Sequence, residues 1–120
     1  MSDAVQYSVM DAPARQRFEI RDGDRVAGFT EYRRRGNVIA FIHTEVEPEY
    51  EGKGVGSRLI SAALDIARDD GATVLPFCPF VRAYIAKHPD PYLDLVPAGL
   101  RGDFELPAEK EKPPAKLSPG

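Results

Sequence analysis

Three alternate glycines, Gly52, Gly54 and Gly56, separate a run of β-formers over residues 38–46 from a stretch over 55–69 with helical spacing. In that second stretch Val55, Leu59, Ala62, Ala63, Ile66 and Ala67 fall on one face. The order strand, glycine loop, amphipathic helix limits both fold and chemistry. Glycines allow positive φ and let a ligand approach the backbone closely. The first amides of a helix have no internal acceptor, and the dipole favours negative charge there. The loop therefore reads as an anion cradle, with Lys53 adding a local cation and Ser57 a hydroxyl. A glycine-rich helix start with no ligand is the bland alternative. Walker A does not fit, because Lys53 lies between glycines instead of following the last one. The dinucleotide fingerprint does not fit either, because the spacing is Gly-x-Gly-x-Gly.

The rest of the chain supplies the layer behind that loop. Residues 17–21 alternate polar and apolar, and Asp22-Gly23-Asp24 is a turn signal. A second strand is expected over 25–34, with Val26, Gly28 and Tyr32 on one face and Ala27, Phe29 and Glu31 on the other. Arg35-Gly36-Asn37 turns into the strand over 38–46, which is apolar enough to be central. After the helix, residues 72–77 read as a short strand. The helical crossover before it suits parallel pairing with an earlier strand. Pro79 opens a second helix to about residue 87, and His88-Pro89-Asp90-Pro91 stops it. The fold class is α/β (α+β layered): an antiparallel meander, then β-loop-α-β-α, with helices against one sheet.

One domain over residues 1–96 is expected, with its core at about 17–96, in a chain of 120 residues. Residues 97–120 form a tail rich in Pro, Lys and Glu. From about residue 107 its composition predicts disorder, whereas Phe104 and Leu106 have the apolar character to dock. The net charge of −3 and pI of about 5.4 argue against broad binding to nucleic acid or acidic membranes. The single cysteine, Cys78, excludes an intrachain disulfide framework and a cysteine-based zinc cage. No apolar run reaches the ~20 residues of a membrane span, and the first residues lack signal-peptide character, so a cytoplasmic protein is expected. Arg33, Arg34 and Arg35 form the basic run, read as a solvated hairpin end.

The segment Val46-x-Pro48-x-Tyr50-x-Gly52-x-Gly54-x-Gly56 resembles the acetyl-CoA pyrophosphate loop of the GNAT superfamily of N-acetyltransferases. Gly54 and Gly56 fit the superfamily pattern, whereas Glu51 stands where Gln or Arg is usual. The resemblance covers residues 17–96. It is closest to the small, single-domain GNAT-like branch, through His43-Thr44, Pro76-Phe77-Cys78-Pro79-Phe80-Val81, His88-Pro89 and Tyr92-x-Asp94-Leu95-Val96. That branch lacks much of the helical region with which larger relatives hold their acceptor.

The resemblance implies a compact GNAT-like fold with two splayed central strands, here residues 39–46 and 73–77. Acetyl-CoA is the implied cosubstrate. Its pantetheine arm would meet the main chain of Glu45, Val46 and Glu47, and its pyrophosphate would meet Gly52, Lys53, Gly54, Val55, Gly56 and Ser57. Cys78, between the second splayed strand and the next helix, is a candidate nucleophile, with His43 on the neighbouring strand as its base. The ordinary alternatives are a buried thiol and a hydrogen-bonded structural histidine. Direct attack by an amine needs no enzyme nucleophile and is slightly favoured, again with His43 as base. Glu45 and Glu47 are weaker candidate bases, and Tyr84 a candidate acid toward the departing thiolate. The implied activity is acetyl transfer to a small-molecule or peptide amine. The alternatives are a CoA-binding protein with little or no transfer, and an interaction adaptor using the tail.

Overall fold

A computed structural model describes residues 7–107 of the chain. Five strands form one sheet in sequence order: β1 (Tyr7–Ala12), β2 (Arg17–Asp22), β3 (Arg25–Arg35), β4 (Val38–Val46) and β5 (Thr73–Pro76). The first four make an antiparallel meander, and β5 runs parallel to β4. The crossover between them is α1 (Val55–Asp69), whose length is what a parallel connection requires. After β5 come α2 (Pro79–Lys87), the single turn α3 (Pro89–Tyr92) and two 3-10 segments, Leu93–Leu95 and Ala98–Phe104. The expected α/β layering and GNAT-like element order are therefore present.

One sheet face is covered by α1. Phe18 and Ile20 of β2, Ile39 and Phe41 of β4 and Val74 of β5 meet Leu59, Ile60, Ala63 and Leu64 of the helix, all fully buried. Each such aliphatic or aromatic side chain contributes roughly 1.5–3 kcal/mol when removed from water. The opposite face carries charge. Glu19 on it is fully buried beneath arginines: Arg17 Nε donates at 2.8 Å, Arg21 Nη2 at 2.6 Å and Arg15 Nη1 at 3.4 Å. The Arg17 guanidinium also lies 4.3 Å from the centre of the Phe29 ring.

Three features extend the expected picture. The sheet begins ten residues before the expected core, because β1 pairs along its whole length with β2 from Tyr7↔Asp22 to Ala12↔Arg17. Only Tyr7 and Val9 of β1 pack against the core, so an edge strand this short leaves little apolar signal. In β3, Ala27 and Phe29 were expected on one face, but Ala27 is fully buried in the core whereas the Phe29 ring lies beneath Arg17. The pairing steps from Ile20↔Gly28 to Arg21↔Val26 and leaves Ala27 as the extra residue of a bulge. Finally, the first part of the tail docks. Phe104 and Leu106 are each 6% exposed, and the Phe104 ring meets Phe77 edge-on at 5.2 Å. Arg101 Nε secures this segment to the Val96 carbonyl at 2.9 Å. The expected disorder from about residue 107 concerns positions that, beyond 107 itself, lie outside the described residues.

Candidate functional site

Pairing between β4 and β5 stops at Phe41↔Pro76. Proline has no amide donor to continue a ladder, and the Phe77 amide turns back to the Leu75 carbonyl at 3.1 Å. The last link is Cys78 N–H to the Phe41 carbonyl at 2.9 Å, after which α2 leaves the sheet. Among the described residues, 42–46 of β4 thus have β3 on one side and no strand on the other.

A bulge decides which main-chain groups face that gap. The register steps from Tyr32↔Phe41 to Glu31↔His43, so Ile42 is an extra residue in β4. Before the bulge, Asn37 and Phe41 direct their carbonyls toward β5, at Thr73 N and Cys78 N. After it, the Glu47 amide bonds the Ala27 carbonyl at 2.8 Å. The Glu45 carbonyl likewise points at β3, 2.8 Å from where a side chain on Gly28 would begin. Strand alternation then turns the amides and carbonyls of Thr44 and Val46 into the gap. Of the three residues expected to offer main-chain contacts, Val46 is therefore free to do so. Glu45 and Glu47 are engaged with β3, and Thr44 joins Val46.

The glycine loop closes one end of the gap. Gly54 is the N-cap of α1 at φ 75, a left-handed conformation that a side chain would strain. The first amide to bond back is that of Arg58, at 3.1 Å from the Gly54 carbonyl. The amides of Val55, Gly56 and Ser57 precede the helical ladder and converge on the loop. Gly56 lets Phe80 pack close to the helix start: a Cβ there would lie 2.6 Å from Phe80 Cζ and the ring would have to shift. The loop is held from below by Tyr50, whose hydroxyl donates to Asp22 Oδ2 at 2.7 Å. That carboxylate, by accepting the hydrogen bond, holds the proton on the phenol and keeps it above its ordinary pKa, and burial adds to the effect. Arg25 pairs with Glu49 and lies 5.5 Å from the Tyr50 ring, tying the loop to the β2–β3 hairpin.

Together these elements enclose a cavity of about 640 Å3. Its walls include Thr44, Glu45, Val46, Gly52, Gly54, Val55, Gly56, Ser57 and Phe80. Pro48, Tyr50 and Glu51 complete it. Lys53 and Glu47 are not among these lining residues. Among the described residues of the wall, Glu45 and Glu51 are acidic and none is basic, so what the wall offers an anion at the helix start is main-chain amides and the Ser57 hydroxyl. An elongated ligand with phosphates at one end and amide groups along its length fits this pattern: helix amides for the phosphates and an open strand edge for the amides.

Cys78 and His43 are not brought together. The Cys78 side chain is 3% exposed, and its Sγ lies 3.3 Å from Thr44 Oγ1. Thr44 in turn bonds the buried Thr30 hydroxyl at 2.9 Å. His43, one residue earlier on β4, projects from the other face. Its Nε2 lies 2.8 Å from Glu45 Oε2, and its ring is 6.2 Å from that of Phe29. The expected thiol–imidazole neighbourhood fails because the Ile42 bulge puts Thr44 on the α1 side and His43 on the open side. Tyr84 is not among the lining residues of the cavity; its ring centre lies 4.4 Å from that of His88 and 5.9 Å from that of Tyr92, both pairs tilted.

Sequence reasoning missed Thr44, Phe80 and Tyr50 as wall residues. Phe80 had a signal, an aromatic at the second position of the helix that Pro79 opens. Thr44 had none, because nothing in Phe41-Ile42-His43 announces a bulge. A comparison with curated proteins finds no match. A family profile described as GCN5-related N-acetyl-transferase matches residues 17–95, from the start of β2 to the segment after α3. With the splayed strands and glycine-capped helix already in place, this match shows that the chain belongs to the GCN5-related N-acetyltransferase family.

Proposed function

We propose that the chain is an acetyl-CoA-dependent N-acetyltransferase of the small single-domain branch, acting on a small-molecule or peptide amine. The observation that carries this reading is the unpaired edge of β4 opening onto the free amides of α1. Membership of the small branch is supported by the β1–β2 connection, a single 3-10 turn at Pro13–Arg15 with no helical region. Acetyl-CoA supplies an activated acyl thioester. Val55, Gly56 and Ser57 amides bind its phosphates, and the main chain of Thr44 and Val46 aligns its amide arm as an added strand would be aligned.

His43 is the proton acceptor in this reading. Its Nε2 donates to Glu45, which leaves the lone pair of Nδ1 for the acceptor amine and balances the imidazolium that forms. Glu45 belongs to the cavity wall, so the pair sits beside the gap. Cys78 is a packing residue here, capped by Thr44, and the amine attacks without an acetyl-cysteine.

The test begins with calorimetric titration of acetyl-CoA, followed by thiol release against a panel of amines. We expect binding in the wild type, and loss of it in a folded Gly54→Val variant. We expect turnover with at least one amine and substantial rate retained in Cys78→Ala. Unchanged affinity in folded Gly54→Val would remove the loop from the site. Complete loss of turnover in Cys78→Ala with acetyl-CoA affinity intact would establish the covalent route instead. A second reading, CoA binding without efficient transfer, draws on Glu45 and Glu51 in the cavity wall. Binding with no turnover on any amine favours it.

A further inference from the structure

The sheet face opposite α1 carries a strip of opposite charges that acetyl-CoA leaves unused. At one end Arg15, Arg17 and Arg21 surround the buried carboxylate of Glu19. Three guanidinium groups around one carboxylate leave two positive charges in excess. Arg17 and Arg21 each spend Nε and Nη2 on Glu19, and their Nη1 atoms make no hydrogen bond among the described residues. Glu19 thus fixes the two forks while their side chains stay 20% and 33% exposed. At the other end, His43 bonds Glu45 on β4, and Glu31 of β3 is the register partner of His43. Glu31 makes no ion pair among the described residues. Cross-strand partners share a sheet face, so this end is acidic. Phe29 joins the two ends: its ring centre lies 4.3 Å from the Arg17 guanidinium and 6.2 Å from the His43 ring. Arg17 and His43 are both register partners of Glu31, which puts them two strand spacings apart, about 10 Å.

We propose that this strip receives the acceptor, and that the acceptor is a short zwitterionic peptide, with its N-terminal amine at His43 and its C-terminal carboxylate on Arg17 and Arg21. The inference rests on the acetyltransferase reading given above and names the class of amine that reading leaves open. Glu31 and Glu45 draw the ammonium form to His43, which then takes its proton. A planar carboxylate matches the unspent edges of the two guanidinium forks. The separation of the ends selects for length. In a free α-amino acid the amine and carboxylate share one carbon and cannot reach both ends. An extended tripeptide spans about 10 Å, at roughly 3.3–3.6 Å per residue. A polyamine offers nothing to the arginine end and sets its own cations against it.

Initial rates of thiol release from acetyl-CoA test this, with triglycine, triglycinamide and spermidine at equal subsaturating concentrations, on the full chain at low salt. The two peptides share one amine and differ in terminal charge. Triglycine is expected to react about tenfold faster than triglycinamide, the size of one charge-assisted contact, and faster than spermidine. Arg17→Gln should bring the ratio of the two peptide rates to within about twofold of unity. Arg21→Gln, which leaves Arg17 on Glu19, should lower the same ratio and serves if Arg17→Gln does not fold. Equal rates for the two peptides, or a faster reaction with spermidine, overturn the proposal and leave the acetyltransferase reading standing. So does a preference that survives unchanged in the folded variants. Turnover of none of the three compounds overturns it too, and the wider amine panel then decides whether the acetyltransferase reading falls with it.

Discussion

Glu19 shows how a single side chain on the open sheet face ties stability to pH. Burial by itself would push its carboxyl upward, but hydrogen bonds from Arg21 and Arg17, and their charges, outweigh burial and hold it below its ordinary value of 4.5. A carboxylate depressed in the folded state binds fewer protons there than in the unfolded chain. Its contribution is therefore fully present above the unfolded value and is lost as pH falls through the lower, folded one. Stability should decline below about pH 4.5, and Glu19→Gln should flatten part of that acid limb. At pH 7 the same substitution should cost about 1–2 kcal/mol, a modest figure because its arginine partners reach solvent. Denaturant midpoints at several pH values check this. Parallel curves for wild type and Glu19→Gln from pH 7 to pH 3 would show that the cluster is not the acid-sensitive element. At the same scale, the roles of Cys78 and His43 illustrate a limit of reading residues from the chain. Their types and strand positions were legible, but their relative placement depended on Ile42, whose extra half-step exchanges the faces of every residue after it.

The gap between β4 and β5 makes a prediction about individual amides. Thr44 and Val46 direct their N–H groups into the gap, whereas those of Glu45 and Glu47 bond β3. Native-state hydrogen exchange followed by NMR should find the first two fast and the last two protected. Saturating acetyl-CoA should slow Thr44 and Val46 and leave Glu45 and Glu47 little changed. The reverse parity would mean that the bulge is misplaced and that the amide arm meets different residues. Most elements around this gap follow from local chemistry. The bounds of α1 follow from the apolar period and from Gly54, and those of α2 from Pro79 and the prolines after His88. The end of β5 follows from Pro76. The bulges and the edge strand β1 are different in kind. A bulge is decided by how two strands accommodate each other, and β1 buries too few side chains to impose a pattern. The anion cradle was therefore legible in the glycines, and the direction of the strand edge beside it was not.

At the scale of the whole molecule, the question is where the folded body ends. Composition places a boundary near residue 97, where Pro and Gly become frequent, yet the chain continues across the body as far as Leu106. Phe104 covers Phe77, which is itself 54% exposed, and with Leu75 and Leu100 it walls a small apolar recess beside β5. This segment therefore packs beside Phe77, the residue before Cys78, where β5 parts from β4. Two deletions separate docked chain from solvated chain. Removing residues 108–120 takes away Pro, Lys and Glu and few groups able to enter a core, so the melting temperature should stay nearly constant. Removing residues 97–120 also exposes the surfaces under Phe104 and Leu106. It should cost about 3–5 kcal/mol, discounted from full burial because both residues lie at the rim. Phe104→Ala alone should account for about half of that loss. Thermal unfolding of the three variants decides the matter. A large drop for the shorter deletion would place part of the core beyond residue 107, and no drop for the longer one would reduce residues 98–106 to a passive cover.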